Sequence, residues 1–519
     1  MNTWKRWLAL LLAALLTLTC LAGCGSRDDA DDDEEEETEA TDKTEDGLAA
    51  SFDDADDIAY VLIYNPELYY QYAKSNTKLE TGDFDRDMID TSAVRADDAD
   101  EQLPEMTHYS QPGSPDKFSE LPLTEGDRAE ALIVPVSVGD TCDFFCTVGG
   151  TDNAPEKETF VCRAVTEHGN LWSIEGADDF SDEMAEQFAA RFEEIYALDT
   201  ELFGLPRYAE DGGKIDLLFY YIGGRESGAY TAGYFNPYDL FSSAEWSAEE
   251  AAEYGFNVDH AIININTYPL EDPSNFDSVC ATVAHELQHL IFQSSLLAEY
   301  ASLDRLGFPI WLNEALSGYS EDALISGIKE AIGAYRWFSR SDLIRHGQSL
   351  YNFDVSGNDI GVYGSVNLYA WFLSELSGGD EVFHRIHDAL RELPSAPTDY
   401  EVLYEALGDD VVQQIDSFIT FPDDVEFDSD EEEFMSKLTL AFYLSMLSGE
   451  PASPRVYGGF DSLALFYDEL DGCDIEGGGR VIVATKDGKF EIPENADSGL
   501  VYIGLDADFN PVTEIIYGE

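Results

Sequence analysis

The sequence predicts an α+β fold, and three observations carry that reading. Short segments with the branched or alternating character of strands occur at Tyr60 to Tyr64, Ala131 to Val138, Cys142 to Val148, Thr159 to Ala164, Lys214 to Tyr221 and His260 to Asn266. Longer segments at Ser181 to Phe203, around Asp277 to Ile291 and from Glu381 to Leu447 space their apolar residues at three and four, as helices do. Strand-like segments return near the C-terminus at Arg480 to Ala484 and Gly499 to Ile503. The 519 residues suggest two to four domains, and 44% hydrophobic with 13% aromatic content suffices for packed cores.

In chain order, residues 1–24 read as a signal peptide, with Lys5 and Arg6 as the charged region and Leu8 to Leu16 as the apolar region, too short for a membrane span. The closing Leu21-Ala22-Gly23-Cys24 resembles the bacterial lipobox. That resemblance implies a diacylglycerol on Cys24, a mature chain starting there, and an exported protein anchored by lipid on the extracytoplasmic face of the cell membrane. The alternative is an ordinary secretory peptide with an incidental cysteine. Residues 25–57 form an acidic block, including Asp31 to Glu37, that repels itself and cannot bury apolar surface, so a disordered tether is expected. The net charge of -78 argues against nucleic-acid partners and against adsorption to anionic lipid.

Residues 58–123 read as an irregular N-terminal region, turn-rich from Pro104 to Pro122, and 124–168 as a small β module with turns at Gly139-Asp140 and Gly149-Gly150. Cys142, Cys146 and Cys162 cluster there. Export would permit a disulfide between two of them, and free thiols remain open, whereas the C-x3-C spacing lacks the second pair of a zinc ribbon. Cys280 reads as a small buried hydrophobe, and Cys473 has no evident partner in sequence. A catalytic domain is expected over 169–450 and a C-terminal β module over 451–519.

The chemistry concentrates between Asp277 and Glu321. His285-Glu286-Leu287-Gln288-His289 lies in a helical run, so both imidazoles face one side a turn apart and reach one ion while Glu286 flanks them. With 8 His in 519 residues, the motif arises by chance in about one chain in a hundred. Glu314, in Trp311-Leu312-Asn313-Glu314-Ala315 and 25 residues after His289, is the candidate third ligand. Two histidines and a glutamate with an open fourth position define a catalytic zinc site, whereas structural sites are closed and usually rich in cysteine. Ser274, three residues before Asp277, is a candidate cap for this helix.

HELQH followed by WLNEALS resembles the gluzincin metallopeptidases: NEALS is similar to the thermolysin NEAIS segment, and WLNE to the WLNEG of zinc aminopeptidases. A wider resemblance, to the hyicolysin family of secreted metallopeptidases, spans roughly Leu171 to Asp380 and includes Phe188 to Gly204, Asp211 to Tyr221, Ala232-Gly233-Tyr234-Phe235 and Tyr363-Gly364. The resemblance implies a thermolysin-like zincin domain with His285, His289 and Glu314 on Zn2+, Glu286 as general base, and a protein or peptide substrate attacked by zinc-activated water. It also implies an edge strand binding substrate backbone, with His260 to Asn266 the candidate. Where thermolysin carries a histidine-orienting carboxylate, four residues after the glutamate ligand, this chain has Gly318, and Glu321 is the candidate substitute. Tyr363 resembles the oxyanion-donating tyrosine of the aminopeptidases, although the lysine of their Y-x-K-G is absent. A purely packing role for Tyr363 and an oxyanion role for His346 stay open. Endopeptidase activity is expected, because the G-x-M-E-N of the aminopeptidases does not occur before His285. The alternatives are an aminopeptidase-type exopeptidase and a catalytically silent binding lipoprotein on the same scaffold.

Overall fold

The computed structural model describes residues 58–68, 78–84, 88, 90, 134–149, 154–224, 230–243, 245–298, 308–326, 347–352, 361–393, 397–452, 473–486, 488 and 490–518. The signal peptide, Cys24, the acidic tether, the turn-rich stretch from Pro104 to Pro122 and His346 lie outside the described residues.

The strands are β1 (Tyr60–Tyr64), β2 (Lys78–Glu80), β3 (Thr141–Cys146), β4 (Glu156–Val165), β5 (Gly169–Ile174), β6 (Ile215–Tyr220), β7 (Gly233–Phe235), β8 (Ala261–Asn266), β9 (Asp474–Glu476), β10 (Arg480–Ala484), β11 (Val501–Leu505) and β12 (Ile516–Tyr517). The helices are α1 (Asp182–Phe203), α2 (Ala248–Tyr254), α3 (Phe276–Leu296), α4 (Ile310–Ser326), α5 (Gly361–Ser377), α6 (Glu381–Glu392), α7 (Asp399–Phe418) and α8 (Asp430–Ser448). The fold is therefore α+β, and residues from Leu48 on cluster as one unit.

A six-stranded sheet runs β3-β4-β5-β6-β8-β7, with β5, β6 and β8 parallel and the flanking pairs antiparallel. Alternation sends Leu217, Phe219, Ile263 and Ile265 into the main core, and Leu218, Tyr220 and Ile262 into a smaller core on the opposite face with Phe144, Phe160 and Trp172. The hairpin β3–β4 extends this sheet, so the boundary expected at residue 168 is crossed by the β4–β5 pairing. The strand expected at Ala131 to Val138 does not form over 134–138. There the chain enters a turn in which Ser137 N–H donates to Asp140 Oδ2 (2.8 Å) and Gly139 adopts φ 91°.

His260 to Asn266 was expected at the sheet edge, half-buried. Instead β8 is buried throughout and lies between β6 and β7. Its asparagines imitate solvent-facing positions in sequence but are satisfied inside: Asn264 Nδ2 donates to Tyr234 O (3.3 Å), and Asn266 Nδ2 to Thr231 O (2.7 Å) and Gly223 O (2.8 Å). The edge is the three-residue β7.

A second sheet, β10-β1-β11-β12, joins the two ends of the chain, and β2 pairs with β9. The N-terminal region and the C-terminal β module, expected to be separate, share these sheets. Hydrophobic on both faces, β1 turns Leu62 and Tyr64 to the main core and Val61 and Ile63 to a third cluster with Val481, Val483 and Tyr502.

Helix ends follow local chemistry. Ser181 caps α1 by accepting from Met184 N–H (3.2 Å), and Thr398 and Glu401 form a capping box on α7. The buried face of α1 carries Ala185, Phe188, Phe192, Ile195, Tyr196, Asp199, Leu202 and Phe203, and each fully buried phenylalanine stabilises the packing by about 1.5–3 kcal/mol. Gly408 breaks the helical path within α7 at φ 74°. The helix α3 is buried on every side from Val279 to Leu296 and packs against α1, α4, α6, β7 and β8. Ser274 does not cap it: Asp272 accepts from Ser274 N–H in the preceding turn (2.9 Å), and Asn275 precedes α3 without a side-chain cap. No described helix is long and apolar enough to cross a membrane.

Candidate active site

His285 and His289 sit one turn apart on α3 and face α4, where Glu314 lies one turn from its start. His285 Nε2 is 3.4 Å from Glu314 Oε2, and His289 Nε2 is 3.7 Å from Oε1. The two rings are nearly perpendicular at 89°, with centroids 4.6 Å apart. One ligand-capable atom from each of the three residues falls within 4.8 Å of the others. Ligands about 2.1 Å from a tetrahedral ion stand about 3.4 Å from one another, so this spacing suits one small divalent cation. Buried carboxylate oxygens point the same way. Glu314 Oε2 and Glu286 Oε1 make no hydrogen bond among the described residues, a costly condition unless a cation or water completes them.

The outer nitrogens of both histidines are supported. His285 Nδ1 lies 2.7 Å from Glu321 Oε1, three residues and so just under one turn beyond Gly318 on α4. At Gly318, where thermolysin carries a carboxylate, a Cβ would approach Asn367 Cγ on α5 at 3.0 Å, so any side chain there has to displace that amide. Ser317 Oγ, which donates to Asn313 O at 2.8 Å, approaches His289 Nδ1 at 3.5 Å and can accept its proton, leaving Nε2 bare.

Burial pulls the His289 imidazole down to about 4, with Glu314 opposing, so the ring is neutral as a ligand must be. Burial also lowers His285, but the Glu314 and Glu321 carboxylates outweigh it and raise it to about 10. Burial drives Glu286 up to about 8, against the attraction of His285 and with the repulsion of Glu314 and Glu321. A divalent charge among these groups favours the deprotonated form of each.

Glu286 points to the other flank, under the edge strand. A Cβ on Gly233 would meet Asn264 O at 2.8 Å, Thr282 Cγ2 at 2.8 Å and Glu286 Cγ at 3.1 Å, so only glycine lets β7 lie this close to α3. Tyr363 belongs to the first turn of α5 and is half-buried. Burial raises its phenol well above the ordinary range, and the charges of Glu314, Glu286 and Glu321 add to this, so it stays protonated and able to donate.

Sequence reasoning missed Asp199. It is buried on α1, accepts from Ser320 Oγ at 2.5 Å, and its carboxyl is pushed well up by burial, with Ser320 and His285 opposing. An aspartate on the apolar face of an amphipathic helix was the available signal.

Two buried helix histidines with a glutamate from a neighbouring helix, outer-nitrogen acceptors and a flanking carboxylate make up a donor set that suits a single divalent cation, on an α+β scaffold. The chain is 27% identical over 274 residues to the neutral metalloprotease ShpI of Staphylococcus hyicus. That match covers 51% of this chain and 58% of the relative's length. No protein-family model matches the chain.

Proposed function

We propose that the chain is a zinc-dependent metallopeptidase of thermolysin-like zincin architecture, cleaving protein or peptide substrates internally. The convergence of His285, His289 and Glu314, with Glu286 across from them, carries this reading, and the similarity to a metalloprotease supports it. When bound, zinc polarises the scissile carbonyl and acidifies the attacking water. Glu286 takes the water's proton and delivers it to the departing amine, a role suited to a buried carboxyl whose affinity for a proton is already raised. Tyr363 donates to the oxyanion from the start of α5. Among the described residues β7 pairs on one side, with β8, and a substrate strand adds to its other side through main-chain hydrogen bonds. Cys24 carries the lipid that holds the enzyme at the extracytoplasmic face of the membrane.

The test is metal analysis of protein lacking its first 57 residues, with casein hydrolysis followed before and after chelation. One equivalent of zinc and chelator-sensitive cleavage are expected. Stoichiometric zinc without cleavage would favour the silent binding protein, and absence of both would overturn the proposal. Release of free N-terminal residues only, from substrates that are inert when N-acetylated, would favour the exopeptidase.

A further inference from the structure

A cavity of about 730 Å³ opens where the leading ends of β5, β6 and β8 meet the start of β3, and it contains none of the residues of the candidate active site. Its volume falls in the range of small-molecule sites. Asp216, second residue of β6, lines it. The parallel register sets it beside Asn170 on β5. Three side chains donate to this one carboxylate: Asn170 Nδ2 to Oδ1 (3.0 Å), Trp172 Nε1 to Oδ1 (2.8 Å) and His260 Nδ1 to Oδ2 (2.8 Å).

Tying Nδ1 to Asp216 fixes the His260 ring and turns Nε2 outward, where it has no hydrogen-bond partner among the described residues. The side chain of His260 is 34% exposed while Asp216 is 8% exposed, so the imidazole is the accessible half of the pair. Burial lowers the imidazole's affinity for a proton, but Asp216 foremost, with Asp239 and Asp259, outweighs this and raises it. Lys214 lines the same cavity, and one of its ammonium protons goes to Thr166 O, which leaves two.

Of the other two carboxylates of the wall, Asp140 Oδ2 accepts from Ser137 N–H within its own turn at 2.8 Å, and Asp259 Oδ1 from Ser243 N–H, 16 positions away, at 2.9 Å. For an anionic group the cavity offers two nitrogen donors, on His260 and Lys214, beside apolar surface from Val134, Pro135, Val136 and Ala261.

We infer that this cavity is a binding site for a small monocarboxylate with an apolar body, such as the C-terminal end of a short peptide, its carboxylate held by His260 Nε2 and Lys214 Nζ. The inference is independent of the proposed peptidase activity, since it uses no residue of that site. A protein of net charge -78 repels anions at long range. The site therefore depends on these two local donors and weakens with their loss.

The experiment uses the full chain and three probes: N-acetyl-leucine, its uncharged amide, and the cationic leucinamide. Calorimetry measures binding, and the imidazole ¹⁵N resonances of the histidines locate it. Saturable binding of N-acetyl-leucine at one site is expected, with the His260 signal moving and both amides at least about tenfold weaker, as for a lost charge-assisted pair. His260→Gln and Lys214→Met should each weaken the acid about tenfold with the melting temperature retained, and should His260→Gln fail to fold, Lys214→Met decides alone. Absence of saturable binding, equal or tighter binding of either amide, or movement confined to His285 and His289 would overturn the inference.

Discussion

Glu321 Oε1 lies 2.7 Å from His285 Nδ1, on the side of the ring away from the nitrogen that faces Glu314. The contact fixes which nitrogen of His285 is bare toward the metal position and sets the plane of the ring. Replacing such partners costs metalloproteins about 10–100-fold in metal affinity or activity. Glu321→Ala is therefore expected to keep the fold and lose zinc affinity by that factor in equilibrium dialysis. An unchanged affinity would remove the carboxylate from the site's support.

Glu286→Gln separates proton transfer from metal holding. The amide fills the same space under Gly233 and is not one of the three converging donors, so zinc content should remain at one equivalent. Turnover should fall by at least about a hundredfold, because the general base is gone. Full activity in this variant would exclude the assignment.

Glu314→Ala tests the third ligand. With its carboxylate removed, His285 and His289 alone leave an incomplete set, and zinc should be lost on dialysis against a weak chelator that the unaltered chain withstands. Retention of one tightly bound equivalent would place the third ligand elsewhere.

Tyr363→Phe removes a hydroxyl and keeps the ring that packs against the core. If the phenol donates to the oxyanion, kcat falls by about a hundredfold, or about 3 kcal/mol, with KM little changed. A rate within a few fold of normal would mean a packing residue. Zinc content and melting temperature measured alongside show whether the variant is otherwise intact.

The convergence of His285, His289 and Glu314 was legible because helical spacing is local: an offset of four from His285 to His289, and of seven from Glu314 to Glu321, determines shared faces without knowledge of the rest of the fold. The edge strand was not. Asn264 and Asn266 gave β8 the alternation of a half-exposed strand, and only tertiary partners such as Tyr234, Gly223 and Thr231 reveal that both amides are buried. The strand that does form the edge spans three residues, Gly233 to Phe235, too few to show a period. Asp199 was hidden for a related reason, since its partner Ser320 lies 121 positions away. Both thiols and disulfides were open for Cys142, Cys146 and Cys162, and the structure has all three as free thiols.

Asn65, at the end of β1, donates from Nδ2 to Ile475 O across 410 positions, and the strand itself lies between β10 and β11. During synthesis, at about 5–20 residues per second, an apolar Tyr60–Tyr64 segment leaves the ribosome long before either neighbour exists. Closing so long a loop carries an entropic cost that local helix contacts do not. Maturation of this sheet is thus deferred until the region around Val483 and Ile503 has emerged, and the waiting strand needs shielding, by a chaperone or by the chain's own strong acidity, against pairing with a copy of itself.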